Sequence, residues 1–322
     1  AQSIADGPVS PKTLIETGSQ ILLSIKIELT LCRGSSVTFS DGIERNVVSM
    51  RDDRPQITAE TFRNMEDMSF FTHARIFDDL LIIAQKETNC FVLRSSEGLI
   101  VLDAIWPCQQ AFDAIISAVR ETGWDPGAIR KLVLTHGHVD HTGCGRWLRE
   151  AFHVETYLSQ RDDRFWAEEP IKRDRPETWK DYDIDVYVGD GDVIALGDKR
   201  LLVYETPGHT PGGLSYIFNV TENGVSHQAA LWGGSAPPMS RHGTIQYLRS
   251  LEHFMEQAER QNVEVALSNH TALDNGLERI AYARKRMRYM PNIYLIGQKG
   301  FRAYCQLFRT WCYDSLEQLD DR

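Results

Sequence analysis

The sequence predicts an α/β protein in which two β-sheets pack against each other and helices cover their outer faces. Short β-rich runs dominate the early part of the recognisable pattern, whereas helical and β-rich runs alternate in the later part. Neither set of strands is able to bury its own sheet. We therefore expect the two sheets to cover each other, with the helices outside them.

The first elements are predicted to form an antiparallel meander that begins near His73. The runs "ARIFDDLLIIA", "NCFVLRSS" and "GLIVLDA" are rich in strand-forming residues and are separated by turn residues. The next segment, "QQAFDAIISAVRETG", is predicted as a helix, because Phe112, Ile115, Ile116 and Val119 recur at helical spacing. The apolar strand "KLVLT" follows this helix.

The later elements alternate between helix and strand. A helix, "CGRWLREAF", and a strand, "VETYLS", precede an irregular segment that ends near Asp181. Five further runs read as strands: "DVYVG", "DVIAL", "RLLVYET", "LSYIFNV" and "AALWGG". The helix "TIQYLRSLEHFMEQAERQ", the strand "VEVALS" and the helix "LERIAYARKRM" come next, and the tail from Gly300 is predicted as a final helix.

The N-terminal segment differs from the rest of the chain. Residues 1–62 are predicted as an extension with one β-strand, "LLSIKIELTLC", because apolar and polar residues alternate along it, and residues 63–322 are predicted as the main domain. The favoured interpretation is an extra edge strand on the core. The alternative is an arm that pairs subunits in a homo-oligomer.

Composition narrows the classes of partner. The formal charge is −10 and no Lys/Arg stripe is present, which argues against a nucleic-acid partner. No apolar run approaches the roughly 18 residues of a membrane-spanning helix, so we expect no membrane partner. The six cysteines are scattered, with no disulfide framework, which slightly favours the cytoplasm. Because the sequence begins at Ala1, an export signal upstream can have been removed.

One run concentrates potential metal ligands. "VLTHGHVDHTG" places His136, His138, Asp140 and His141 within six positions, directly after an apolar strand. The loop after such a strand lies at the carboxyl edge of a sheet, where sites on layered α/β folds tend to lie. Neutral imidazoles and a carboxylate together suit a borderline cation such as zinc. Two glycines in the run let the backbone bend so that these side chains converge.

The spacing suggests two metal ions. The first two histidines of the run can face one metal, and its Asp–His pair can reach a second. Two catalytic zinc sites need six protein ligands, and the run offers four. His209, in "YETPGHTPGGLSYIF", and His270, in "VALSNHTALDNG", are the candidates for the remaining two, because each follows a strand.

The combination of "THGHVDH", "TPGHTPG" and a late "NH" after a strand resembles the metallo-β-lactamase superfamily. The resemblance covers His73 to the C-terminus. It implies a four-layer αββα sandwich of two mixed β-sheets flanked by helices, with a dinuclear zinc site at one edge of the sheets. It also implies that His136, His138 and His209 bind one zinc ion and that Asp140, His141 and His270 bind the other.

One position departs from the pattern of many superfamily members. Glyoxalase II and the lactonases carry an aspartate that bridges both metals at the end of the strand after the third histidine, where this chain has Ser235 in "LWGGSA". Metallo-β-lactamases without a cysteine ligand resemble the chain here. The difference argues against a glyoxalase or persulfide dioxygenase. We assign Ser235 to holding a water or substrate oxygen, because a neutral hydroxyl is a poor zinc ligand.

The predicted activity is zinc-dependent hydrolysis, with two zinc ions per chain and with iron or manganese as alternatives. A metal-bridging hydroxide would attack the carbonyl of a small organic ester, lactone, thioester or β-lactam-like cyclic amide. Asp140 would orient the hydroxide and pass its proton to the leaving group. Asp103 either fixes a ligand imidazole or caps a turn. Phe165, Trp166 and Met239 are predicted to form apolar pocket walls.

Three other functions use the same residues. A phosphodiesterase or sulfatase would need the same metals, and a β-lactamase proper fits the serine-containing site. A non-catalytic metal-binding or sensor module is the alternative from a different class. The full set of six ligands argues against it, because a chain without chemistry would be expected to lose some of them.

Overall fold

The computed structural model describes residues 36–38, 44–46, 64, 66–168, 179–238 and 240–320. The chain divides into two units: Ala1–Gln56 with Met287–Ile293, and Ile57–Arg286 with Tyr294–Arg322. In the smaller unit, the described strands β1 (Ser36–Thr38) and β2 (Glu44–Asn46) pair antiparallel. The strand predicted at residues 22–32 lies outside the described residues, and its role in pairing subunits stays a prediction.

The larger unit contains a seven-stranded mixed sheet. Its order is β3-β4-β5-β6-β7-β8-β9, antiparallel from β3 to β6 and parallel from β6 to β9. Its strands are β3 (Thr72–Phe77), β4 (Leu80–Ala84), β5 (Asn89–Ser95), β6 (Gly98–Leu102), β7 (Ile129–Val133), β8 (Glu155–Leu158) and β9 (Val186–Tyr187).

A five-stranded sheet follows in the sequence. Its order is β10-β11-β12-β13-β14, antiparallel except for the parallel pair β13 and β14. Its strands are β10 (Val193–Leu196), β11 (Lys199–Glu205), β12 (Leu214–Glu222), β13 (Val225–Trp232) and β14 (Val263–Ser268).

Seven helices of the larger unit lie within the described residues, and no helix there has the length and apolarity needed to cross a membrane. They are α1 (Gln109–Glu121), α2 (Val139–Thr142), α3 (Gly145–Phe152), α4 (Gln160–Glu168), α5 (Arg241–Arg260), α6 (Gly276–Lys285) and α7 (Gly297–Asp320).

Each sheet packs helices on one face. Leu81 and Ile83 of β4 belong to a buried cluster with Ile115 of α1 and Leu148 of α3. The alternate residues of β4, including Leu80, point to the opposite face and are equally buried. A strand buried on both faces explains the uninterrupted apolar run "LLIIA".

The five-stranded sheet packs against α5 and α7 in the same manner. Ile217 and Ala230 of the sheet form a buried cluster with Phe254 of α5 and Phe308 of α7. The apolar stripes of these two long helices therefore cover the outer face of this sheet.

Direct hydrogen bonds join the two sheets. The Tyr216 hydroxyl on β12 donates to Leu134 O just after β7 at 2.6 Å. At the far end, the buried Lys199 ammonium donates to Asp79 Oδ2 at 2.6 Å. These bonds fix the carboxyl ends of β7 and the loops of the second sheet at one edge of the layers.

The predicted fold class is confirmed: two mixed sheets are flanked by helices. The predicted antiparallel meander is present, and "ARIFDDLLIIA" itself forms the hairpin of β3 and β4, because Asp78 and Asp79 form a turn within it. One local prediction was wrong. Part of the segment predicted as irregular is helix α4, in which the Asp162 backbone N–H donates to the hydroxyl of the preceding Ser159 at 3.1 Å.

Candidate metal centre

The first donor group joins both sheets. His136 and His138 lie in the loop between β7 and α2, and His209 lies in the loop between β11 and β12. One donor atom from each of the three lies within 4.8 Å of the other two. His138 Nδ1 is 3.1 Å from His209 Nε2, so two ring nitrogens face each other.

The outer nitrogens of these rings have oxygen partners. His136 Nδ1 lies 3.0 Å from Thr135 Oγ1, and His209 Nδ1 donates to Ala236 O at 2.7 Å. These bonds favour the tautomers that leave each Nε2 with a lone pair. His136 Nε2 is buried and has no hydrogen-bond partner. A buried nitrogen without a partner is costly, and a cation among the three rings would satisfy it. The residues therefore fit a metal ion.

The second donor group lies beside the first. Asp140 and His141 are on the short helix α2, and His270 directly follows β14. Their donor atoms also lie within 4.8 Å of one another. His141 Nε2 is 3.1 Å from His270 Nε2, and Asp140 Oδ2 is 3.4 Å from the first of these atoms and 3.7 Å from the second.

The outer nitrogens of the second group are also bonded. His141 Nδ1 lies 2.9 Å from Asp103 Oδ2, and His270 Nδ1 donates to Glu87 O at 3.1 Å. Each bond fixes the ring so that its Nε2 points to the other donors. The structure thus brings all six predicted ligands together in two groups of three.

Burial sets the charge of most of these imidazoles. Loss of hydration lowers the pKa of His136 and His209, and it lowers the pKa of His270 to about 4. These three rings are neutral at physiological pH. Neutral imidazole is the form that binds a metal.

His141 and Asp140 behave differently. Burial lowers the pKa of His141, but the carboxylates of Asp140 and Asp103 outweigh it and raise that pKa to about 10. Burial raises the pKa of Asp140, yet the charge of His141 holds it well below its usual range. The second group therefore contains the ionised carboxylate of Asp140.

Asp103 lies behind both groups. It is fully buried, and its two oxygens accept bonds from the Thr135 backbone N–H at 2.7 Å and from the Thr135 hydroxyl at 2.8 Å. It contacts His141 directly and reaches His136 through Thr135. Its φ is 63° and that of Ile105 is 53°, a conformation that is strained for a β-branched residue.

The glycines of the histidine run serve close packing. A Cβ on Gly143 would lie 1.8 Å from Ile105 O, and a Cβ on Gly137 would lie 2.6 Å from Asp162 O. Neither glycine has a positive φ. Close packing is therefore a further reason for glycine at these positions: a side chain at either one would collide with a neighbouring segment.

Ser235 does not point to open space. It is 3% exposed, and its hydroxyl donates to Asn269 Oδ1. The Asn269 amide nitrogen in turn lies 3.2 Å from Thr135 Oγ1, 3.1 Å from Gly233 O and 3.4 Å from Asp103 Oδ2. The hydroxyl therefore supports the residues behind the candidate ligands, and that Ser235 holds a water or substrate oxygen stays a prediction.

The residues predicted to form the pocket walls do not lie together in the structure. Phe165 is half-buried, and its ring centroid is 5.4 Å from that of His138, which places it at the first donor group. The prediction for Trp166 was wrong, because this residue is 2% exposed and packs against Tyr182 in the core. Met239 lies outside the described residues.

Five supporting residues were missed in the sequence. Thr135 and Asn269 each directly precede a ligand, and that adjacency is the only signal that points to them. Thr88 donates to Asp140 Oδ2 at 3.2 Å, and Glu87 holds His270. Asp162 follows Ser159 at the spacing of a helix start, which predicts a cap but not its contacts with the ligand loops.

Comparisons with known proteins agree with this geometry. The family model described as "Metallo-beta-lactamase superfamily" matches residues 85–221, which contain five of the six predicted ligands. The N-acyl homoserine lactonase AttM of Azorhizobium caulinodans is 28% identical over 184 residues, covering 51% of this chain and 67% of the relative. A hydroxyacylglutathione hydrolase of Chelativorans sp. is 35% identical over 105 residues, 33% of this chain, and the chain spans only 34% of that relative.

Solved structures share the fold. The metallo-beta-lactamase FEZ-1 of Legionella gormanii has a TM-score of 0.67 at 16% identity, covering 77% of this chain and 97% of that one. BJP-1, a subclass B3 metallo-beta-lactamase of Bradyrhizobium japonicum, has a TM-score of 0.65 at 19% identity, covering 78% and 94%. The fold, the family model and the paired donor groups define a metallo-hydrolase. Residues 85–221 of the chain match the metallo-beta-lactamase superfamily, and the fold is that of solved metallo-beta-lactamases.

Proposed function

We propose that the protein holds two zinc ions and hydrolyses a small organic ester, lactone, thioester or cyclic amide at its carbonyl group. One observation carries the proposal: two groups of three donor residues lie side by side, with the donor atoms of each group within 4.8 Å of one another. Three protein ligands with an open position are the usual arrangement of catalytic zinc.

The donor set favours zinc over manganese. Five of the six side chains are imidazoles, and one is a carboxylate. Imidazole-rich sets suit zinc, whereas manganese prefers oxygen ligands. His136, His138 and His209 would hold one ion, and Asp140, His141 and His270 the other. When bound, zinc would lower the pKa of water to about 7 and polarise a carbonyl oxygen.

Asp140 is the residue that handles the proton in this proposal. Its carboxylate is 7% exposed and is ionised, because the neighbouring His141 favours the charged form. Thr88 Oγ1 donates to Asp140 Oδ2 at 3.2 Å and fixes the carboxylate rotamer. A fixed, ionised carboxylate in the second donor group can orient the attacking water and transfer its proton to the leaving group.

Asp103 and Glu87 would position the imidazoles of the second group. Asp103 Oδ2 accepts from His141 Nδ1, and Glu87 O accepts from His270 Nδ1. Both bonds hold the ring so that its Nε2 is directed at the other donors of the group. The two residues therefore act through the ligands and not on the substrate.

The substrate class is supported by the relatives and by one wall residue. AttM is an N-acyl homoserine lactonase and the Chelativorans relative is a hydroxyacylglutathione hydrolase, so both relatives act at an acyl carbonyl carbon. Phe165 places an apolar ring beside His138. An apolar surface next to the metals suits an uncharged organic substrate better than a phosphate or sulfate ester.

A substrate panel with metal analysis tests the proposal. Protein expressed with added zinc should contain two zinc ions per chain and should turn over at least one lactone, aryl ester, thioester or nitrocefin. Chelation should abolish that turnover, and added zinc should restore it. Turnover of phosphate or sulfate esters alone would assign a phosphodiesterase or sulfatase. Two bound zinc ions without any turnover would favour a non-catalytic metal-binding module.

A further inference from the structure

We propose that Asp162 is a positioning residue that sets the distance between the two loops of the three-histidine group. This inference rests on the proposed metal centre. Asp162 is on the first turn of α4 and is fully buried. Its Oδ2 accepts from the Gly137 backbone N–H at 2.9 Å and from Thr210 Oγ1 at 2.7 Å, and its Oδ1 accepts from the Gly212 backbone N–H at 2.6 Å.

These three donors lie on loops that belong to two different sheets. Gly137 lies between His136 and His138, in the loop after β7 of the seven-stranded sheet. Thr210 directly follows His209, in the loop between β11 and β12 of the five-stranded sheet. A single carboxylate therefore bonds to the loop that carries two ligands and to the loop that carries the third. Its three bonds fix how far apart those ligands lie.

The first turn of α4 packs closely against both loops. A Cβ on Gly137 would lie 2.6 Å from Asp162 O, and a Cβ on Gly212 would lie 2.8 Å from Asp162 N. The Ser159 hydroxyl, which accepts from Asp162 N, also donates to Gly212 O at 2.6 Å. The backbone of the helix start and both loops are thus in contact, with the carboxylate between them.

The Asp162 carboxylate has hydrogen-bond partners that are unusual for this position in a helix. An acidic residue three positions after an N-terminal serine commonly bonds back to the serine backbone N–H. Asp162 instead bonds outward to both ligand loops. A buried carboxylate needs donors for its lone pairs, and these loops supply three charge-assisted bonds. The residue is therefore suited to holding the loops and not only to starting the helix.

Asp163 provides a matched control. It is on the same turn and is also buried, at 7% exposed. Its partners are the Tyr187 hydroxyl at 2.9 Å and the Lys180 ammonium at 2.7 Å. Neither partner is on a ligand loop. Replacement of Asp163 by Asn tests loss of a buried charge on α4 without loss of the bonds to the loops.

The first experiment compares zinc affinities of Asp162→Asn and Asp163→Asn. An amide has one acceptor oxygen, so its NH2 group must face at least one of the three donors. For Asp162→Asn we expect zinc affinity of the three-histidine group to fall about 10–100-fold, the usual effect of losing a residue that orients ligands. The Asp140–His141–His270 group should change by less than about threefold. Calorimetric titration of metal-free protein and the absorption spectrum of bound cobalt measure metal binding at each of the two groups.

Asp163→Asn should leave both affinities within about threefold of wild type, even where its melting temperature falls as far as that of Asp162→Asn. Equal losses of affinity in the two variants, or no loss in Asp162→Asn, would overturn the positioning role. Zinc binding that follows these expectations without any hydrolysis would refute the proposed activity and leave the role of Asp162 intact. Wild-type protein that binds no zinc would refute both.

Thr210 gives a second route if Asp162→Asn does not fold. Thr210→Val removes one of the three donors and keeps the carboxylate, whereas Thr210→Ser keeps the hydroxyl. We expect zinc affinity of the three-histidine group to fall about 3–10-fold in the valine variant and to recover in the serine variant. Equal affinities in the valine and serine variants would contradict the proposal.

Discussion

The three-histidine group and the Asp140–His141–His270 group lie side by side but are held by different kinds of partner. In the first, His136 and His209 bond to a hydroxyl and a backbone carbonyl, both neutral. In the second, His141 bonds to a buried carboxylate and lies 3.4 Å from Asp140. The comparison separates two functions: the first group is a neutral anchor, and the second is the charged group suited to moving protons.

The two groups also share one residue behind them. Asp103 contacts His141 directly, but it reaches His136 only through the Thr135 hydroxyl. Its backbone is in a strained conformation, with φ of 63°. Strain of this kind persists where the surrounding contacts hold it, and here four polar contacts to Asp103 side-chain oxygens do so. Because both groups depend on Asp103, we expect its replacement to weaken zinc binding at both groups, but by different amounts.

The largest effect is expected from Asp140→Asn, which tests whether proton transfer belongs to the second group. Turnover of the best substrate should fall about 10²–10⁴-fold with KM little changed, because the charge that handles the proton is lost. Steady-state kinetics and elemental analysis on one preparation measure it. Asp113→Asn, on the surface of α1, is the control and should behave as wild type. Near-normal kcat with both metals bound would remove Asp140 from the mechanism.

The sequence was sufficient to predict that these six side chains come together, because the loops that carry them follow strands. His136 and His270 lie within three residues of the ends of parallel strands, so fold topology alone brings them to one edge of the sheets. The His209 loop was found by its glycines and prolines. The motif therefore predicted which residues come together. The structure added the hydrogen bonds to neighbouring oxygens, which favour one tautomer of each ring.

The supporting residues were not predictable in the same way. Asn269 acts through contacts with residues more than 30 positions away, and no local pattern records such pairs. Phe165 and Trp166 were assigned to one wall because their segment was read as irregular. In a helix, adjacent side chains point about 100° apart, so one of them contacts His138 and the other enters the core. Missing α4 therefore produced the error.

A smaller effect is expected from Asp103→Asn, which sharpens the comparison between the groups. Zinc affinity of the second group should fall about 10–100-fold, and that of the three-histidine group by less, because Thr135 stands between. Thr135→Val should reverse the order and weaken the three-histidine group more. Calorimetric titrations of both variants measure zinc binding at each of the two groups. Equal losses at both groups in both variants would show that the two groups do not depend on separate supports.

The smallest effect is expected from Ser235→Ala. Ser235 stands where many relatives of the superfamily carry a carboxylate, yet its hydroxyl donates to Asn269, a residue behind the six candidate ligands. Its loss leaves the Asn269 oxygen without that donor, which should lower the free energy of unfolding by about 1 kcal/mol. Asn269 keeps its other bonds to Thr135 and Gly233, so the ligand rings should stay in place. We therefore expect unchanged zinc content and two binding events of unequal affinity in both forms, measured by calorimetry. Loss of a whole zinc equivalent in the alanine variant would instead show that the hydroxyl is a ligand, and the division of the six residues into two groups would have to change.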